Sequence, residues 1–119
     1  MSHAARQRAE KRGRRGELVA SWYLRSKGWR IVDRRVRNPR GEIDLVARRG
    51  STVAFVEVKW RRSVAELDTA IDEYRLRRVA AAAEAAAHLY APDGEDIRID
   101  VILVAPRAWP RHIANAWQP

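Results

Sequence analysis

The stretch GEIDLVARRGSTVAFVEVKWR, residues 41–61, limits the fold more than any other feature of the chain. Two apolar runs of strand length flank a turn candidate, RRGS (48–51), and side chains alternate through both runs. Ile43, Leu45 and Ala47 alternate with Glu42, Asp44 and Val46. Ala54, Val56, Val58 and Trp60 alternate with Val53, Phe55, Glu57 and Lys59. A hairpin buried on both faces would place Val or Ile throughout. Here three carboxylates and one lysine stand inside it.

A two-residue turn at Arg49 and Gly50 would set Arg48 opposite Ser51, Asp44 opposite Phe55 and Glu42 opposite Glu57. Residues 42, 44, 55, 57 and 59 would then share a face, with Asp44 diagonal to Glu57. A four-residue loop keeps that parity, whereas a three-residue loop turns Asp44 away. Carboxylates gathered in this way repel one another, and burial adds to the penalty. A divalent cation resolves the conflict. Oxygens of Asp44 and Glu57, with the backbone carbonyl of Val58, suit Mg²⁺ or Mn²⁺. Glu42 is a second-rank ligand, because at the sheet rim it can equally pair with Arg40. Water made acidic by the ion and oriented by Lys59 would attack phosphorus, and Lys59 would offset the charge that develops there. The plainer alternative is a cross-strand ion-pair patch on a wet face. Against it, Val46, Val53 and Phe55 make that face too apolar for solvent alone.

Charge is uneven along the 119 residues. Through Arg62 there are 18 Lys or Arg against 6 Asp or Glu, a balance of +12; the remainder carries −3. Arg supplies 21 of the 24 cations, and its planar fork suits phosphate. Nucleic acid is the natural partner for such a field. Arg34, Arg35, Arg37 and Arg40 beside the hairpin, with Arg61, Arg62 and Arg75, are the candidate phosphate contacts. No cysteine is present, which excludes disulfides and thiolate metal sites. No apolar run reaches membrane-spanning length, so the expectation is a cytoplasmic protein with no membrane role.

The remaining pattern predicts a basic, flexible segment over 1–13 and a single domain over 14–119. A helix is expected over Glu17–Lys27, with Gly28 just past its end, and a strand over 29–32. NPRG (38–41) is turn chemistry. A long Ala-rich helix is expected from about Thr69 to Tyr90, with Leu76, Val79, Ala83, Ala86 and Tyr90 on one stripe. IRIDVILV (97–104) is a strand and RHIANAW (111–117) offers a short last one. The order α-β-β-β-α-β describes an α/β domain around one central sheet. Asp100, in mid-strand, calls for an Arg partner. His3, His88 and His112 have no ligand spacing.

RGE (15–17), GEIDLVA (41–47), VAFVEVKWR (53–61) and IRIDVILV (97–104), in this order, resemble the small bacterial YraN-type family. That family is similar to Holliday-junction resolvases of the PD-(D/E)XK nuclease superfamily. The resemblance covers Arg15 to Trp117. It implies a restriction-endonuclease-like core, a mixed β-sheet flanked by helices. It further implies Asp44 and Glu57 as metal ligands, Lys59 as the catalytic lysine, and Glu17 acting on the metal or its water. Glu17 also has a plainer role near a helix start, where its charge favours the macrodipole. Ile43 stands where the superfamily pattern has Pro, and Arg75 where relatives would carry Lys. The activity implied is Mg²⁺-dependent hydrolysis of structured or branched DNA, with a homodimer by analogy. The alternatives are a non-catalytic nucleic-acid-binding module, or a subunit whose partner completes the site.

Overall fold

A computed structural model describes residues 2–63, 65 and 72–117 of the chain. Helix α1 spans His3–Ser26, starting 14 residues before the expected Glu17. The Ser2 hydroxyl caps it by accepting from Ala5 N–H, and the Ala, Arg, Lys, Gln and Glu that follow are strong helix formers. The apolar stripe starts only at Gly16, which is why periodicity alone missed the first turns. At the other end Gly28 takes φ +89, with Gly28 N–H bonded to Arg25 O and Trp29 N–H to Leu24 O. This double bond pattern stops the helix where expected.

Five strands follow in a single mixed sheet of order β1-β2-β3-β4-β5. They are β1 (Arg30–Asn38), β2 (Gly41–Arg49), β3 (Thr52–Trp60), β4 (Asp96–Val104) and β5 (Arg111–Ile113). Helix α2 (Glu73–Tyr90) connects β3 to β4, which run parallel; the other pairs are antiparallel. The expected order holds, and β5 is the short last strand. The start of the second helix expected at 69–71 lies outside the described residues. Strand β1 runs six residues past its expected end at 32. Its charged sequence DRRVRN hid it, yet such a sequence suits an edge strand, whose open rim charge protects from mispairing.

Helices α1 and α2 cover opposite faces of the sheet. Leu76, Val79, Ala82 and Ala83 of α2 pack on Ile43, Val46, Val53, Phe55 and Val101. Ala20 and Leu24 of α1 pack on Leu45, Ala47, Ala54, Val56 and Ile102. Trp117 lies partly buried against the α2-side core, and half-buried Trp60 against the α1 side. Gly41 was expected to serve the bend, but its backbone needs no special φ. It is required by approach: a Cβ there would stand 2.6 Å from the Arg78 carbonyl oxygen of α2. Among the described residues, no helix is long and apolar enough to cross a membrane.

Candidate active site

The β2–β3 turn is Gly50–Ser51, with Arg49 opposite Thr52 and Val46 opposite Phe55. Gly50 takes the left-handed φ of +59 that such a turn requires. The expected pairing of Arg48 with Ser51 is therefore displaced by one position on each strand, which leaves face parity unchanged. Pairing between β2 and β3 ends at Leu45↔Val56. Beyond it the strands diverge: β2 stays with β1 and β3 stays with β4. Asp44 sits at the crotch of this fork, where its Oδ2 accepts from Val58 N–H at 2.7 Å. The N–H and C=O of one strand residue point to the same side, so the Val58 carbonyl also faces the fork.

Alternation breaks at Asp44. Ile43 joins the α2-side core while Leu45 joins the α1-side core, although two residues apart should share a face. Arg35, opposite Asp44 by register, has a left-handed φ of 50. A non-glycine residue there costs on the order of 1 kcal/mol. The irregularity sends Arg34 and Arg35 toward α1 together: Arg34 donates to the Ser21 hydroxyl at 2.9 Å and Arg35 pairs with Glu17 at 2.9 Å.

Glu57 is 3% exposed and Lys59 7%. Glu57 Oε1 lies 3.1 Å from Lys59 Nζ and 3.2 Å from the Arg75 guanidinium. Neither cation aims a hydrogen bond at it, so among the described residues this buried oxygen has no hydrogen-bond partner. Arg75 reaches Glu57 from the first turn of α2, which Asp72 caps by accepting from Tyr74 and Arg75 N–H. Burial, followed by the Glu57 charge, pushes the Asp44 carboxyl up to about 7; the Val58 hydrogen bond pulls the other way and Glu17 adds to the rise. Ionised Asp44 is thus opposed first by burial and then by the neighbouring Glu57 charge.

Three hollows meet around these groups. Glu57, Arg75 and Arg78 line the first; Glu17, Arg35, Arg37 and Asp44 the second; Lys59, Arg61, Arg62 and Arg12 the third. Glu42 forms a wall between the first and second, and it pairs with Arg37 at 3.4 Å instead of with Arg40. Expected contacts Arg35, Arg37, Arg61, Arg62 and Arg75 are therefore gathered. Arg34 is committed to Ser21, and Arg40 lies at the β1–β2 turn outside these hollows. Sequence reading missed Arg12, Arg14 and Arg78. The first two come from the unexpected start of α1, and Arg12 stacks over Trp60 at 5.4 Å. The readable signal was the Ser2 cap ahead of an Ala, Arg and Lys run.

Among the described residues no three acidic or imidazole side chains converge as a cage. Mg²⁺ does not require one, since it keeps several waters and is held through one or two carboxylates. The orphaned Glu57 Oε1 beside Asp44, whose Oδ2 alone is committed to the backbone, fits that demand.

Asp100 is a separate matter, on the α1 side of the sheet. Fully buried, it accepts from Arg98 at 2.7 and 3.2 Å and from Asn115 N–H at 2.9 Å, and it meets His112 Nε2 at 2.7 Å. Burial pushes its carboxyl up, but the His112, Arg98 and Asn115 bonds outweigh burial and hold it below the ordinary value. The expected Arg partner is present and the cluster is saturated.

A family model described as Uncharacterised protein family UPF0102 matches residues 16–104. A UPF0102 protein of Erythrobacter litoralis is 72% identical over 114 residues, 96% of this chain and 98% of that protein. One of Sphingopyxis alaskensis is 65% identical over 111 residues, 93% and 96% of the two chains. One of Rhizorhabdus wittichii is 61% identical over 109 residues, 92% of each.

Proposed function

Given that the chain belongs to the UPF0102 family, the YraN-type family its motifs resemble, we propose that it is a Mg²⁺- or Mn²⁺-dependent endonuclease-like protein acting on structured or branched DNA. The observation that carries this reading is the buried Glu57 Oε1, which among the described residues is left without a hydrogen bond beside Asp44 and Lys59 at the mouth of a strand fork. Asp44, Glu57 and the Val58 carbonyl would hold the ion, with Glu17 beside them through the second hollow and Glu42 at the rim. When bound, the ion supplies Lewis-acid activation of water and charge neutralisation at phosphorus.

The protein's own residues do the rest. Lys59, fixed 3.1 Å from Glu57 Oε1, is placed to orient the attacking water and offset negative charge on the phosphoryl oxygens. Arg75, exposed on its outer side, is placed to turn from Glu57 to a phosphate once the Glu57 charge is otherwise met. Arg35, Arg37, Arg61 and Arg62 hold the flanking backbone. The water oxygen forms the new bond to phosphorus, one ester P–O bond breaks, and the departing oxygen receives the water's proton. On this reading the protein would act in the cytoplasm, and a two-fold dimer would suit a branched substrate.

The test is a cleavage panel of junction, flap, duplex and single-stranded DNA, comparing wild type with Glu57→Gln. Divalent-dependent nicking by wild type alone is expected; an inert wild type on every substrate overturns the reading. One observation favours a second reading. Lys59 and Arg75 already balance the Glu57 charge, as an ion-pair patch in a non-catalytic DNA-binding module or partner subunit would. Calorimetry separates the two: a module of that kind takes up no Mg²⁺ or Mn²⁺, or takes it up equally after Asp44→Asn.

A further inference from the structure

Trp22 and Trp109 are large exposed side chains that belong neither to the core nor to the candidate site. Trp22 is 54% exposed and Trp109 78%, and their rings stack with centroids 6.1 Å apart and planes 15° from parallel. Trp22 stands on α1. Trp109 is delivered by APRAWP (105–110), the connection from β4 to β5. That connection is stiff: Ala105 is buried, Ala108 packs on the α2-side core, and Pro106 and Pro110 bracket the rest. Arg107 between them takes φ 60, a conformation that only a well-determined surrounding maintains. The second indole is therefore presented to solvent by a braced loop.

The surroundings carry one sign of charge. Residues 18–32 and 101–117 contain no Asp or Glu. Exposed Arg25 follows Trp22 by three positions on α1, and exposed Arg107 and Arg111 lie two positions to either side of Trp109. An apolar partner would make no use of the cations, and an acidic peptide would make little use of flat indole faces. An unpaired base on a phosphate backbone uses both.

We propose that Trp22 and Trp109 form a stacking platform for an unpaired base of single-stranded or branched DNA, with Arg25, Arg107 and Arg111 on its adjoining phosphates. Trp22 is five residues past Glu17 on the same helix, about 8 Å along its axis and about 140° around it, so the platform flanks the candidate site instead of lining it. The proposal shares the polyanion premise of the functional reading and adds a substrate feature to it, but it requires no hydrolysis.

The test uses full-length protein in EDTA. Fluorescence anisotropy compares a labelled oligothymidylate with an abasic strand of the same length and charge. Wild type should bind the base-bearing strand about tenfold or more tightly over the abasic one. Trp109→Ala should lose most of that preference while its affinity for the abasic strand changes by less than about twofold, because only the stacking partner is removed. Trp109→Phe should keep much of the preference, and the exposed position leaves melting unaffected. An equal loss on both strands, or an unchanged preference in Trp109→Ala, overturns the proposal. So does an unchanged preference with a dimer-to-monomer shift in sedimentation, which would assign the pair to a second copy of this chain. Working without metal keeps the two readings apart: an inactive hydrolytic site does not disturb this measurement, and absence of base preference leaves the cleavage panel intact.

Discussion

Replacing Asp44 by Asn should stabilise the folded protein above neutral pH while removing its affinity for a divalent cation. The folded state keeps the Asp44 proton up to about pH 7, whereas a carboxyl at its ordinary value of 3.8 has already released it. Between those values the folded state binds more protons than the unfolded chain, so stability falls as pH rises. At pH 8 the full gap corresponds to about 4 kcal/mol. Asp44 is only half-buried, and screening by the water it meets brings the expected gain to about 2 kcal/mol. Asn removes the charge yet keeps an acceptor for Val58 N–H. Urea unfolding of both proteins in EDTA, from pH 4 to 8.5, measures the difference. The curves should converge near pH 4 and separate progressively toward pH 8. Mg²⁺ at ten times its Kd should then return about 1.4 kcal/mol to the wild type and nothing to the variant. Equal midpoints at pH 8, or a gap independent of pH, would refute the reasoning that burial and the Glu57 charge oppose ionisation of Asp44.

Other expectations follow from the same geometry. Removing residues 2–12 should weaken DNA binding through loss of Arg6, Arg8, Lys11 and Arg12, yet shift melting by only about 2 °C, because Ala5 and Ala9 alone are partly buried there. Asp100→Ala should cost about 3–5 kcal/mol in chemical denaturation, since it strands Arg98 and the Asn115 N–H, and should leave Mg²⁺ uptake unchanged. Because the Asp100 carboxyl is held below 3.8, its contribution is present above that pH and is lost as pH falls through the lower folded value; the variant should lack this acid-side loss. Gly41→Ala should destabilise by about 1–3 kcal/mol, because the new Cβ meets the rigid backbone of α2 instead of a movable side chain.

The hairpin made much of this site legible in advance, for a reason that does not depend on the exact turn. Strand faces repeat every two residues, so pairing Arg49 with Thr52 instead of Arg48 with Ser51 left Glu57 and Lys59 where they were expected. What parity could not reveal is the break at Asp44, because it arises from the partner strand. Arg35 adopts a left-handed backbone opposite Asp44, and no local motif in DRRVRN marks it. The Arg75 approach to Glu57 was hidden for a different reason: it depends on where a helix capped at Asp72 lands on the sheet, a tertiary matter. Glu17 came from family resemblance, and its place beside Arg35 and Asp44 depends on the same bend in β1. Arg34, chosen from composition alongside Arg35, is committed to Ser21. Charge runs show that cations are available but not which way each one faces.

The distribution of unfavourable features bears on the choice between an enzyme and a passive binder. Among the described residues Glu57 Oε1 is buried without a hydrogen bond, Asp44 is pushed toward neutrality by burial and then by Glu57, and Arg35 is forced to positive φ. All three lie within the fork and its adjoining hollows, while the equally buried Asp100 on the other face is fully satisfied. A surface that only gripped phosphates would need the arginines but not a carboxyl pushed toward neutrality by burial; Asn in place of Asp44 would make it more stable and more basic. Local rules are broken in this way where a group must remain available for a ligand. The expected gain on Asp44→Asn follows from the same physics: burial opposes the Asp44 charge, a cost that suits a group kept available for a ligand.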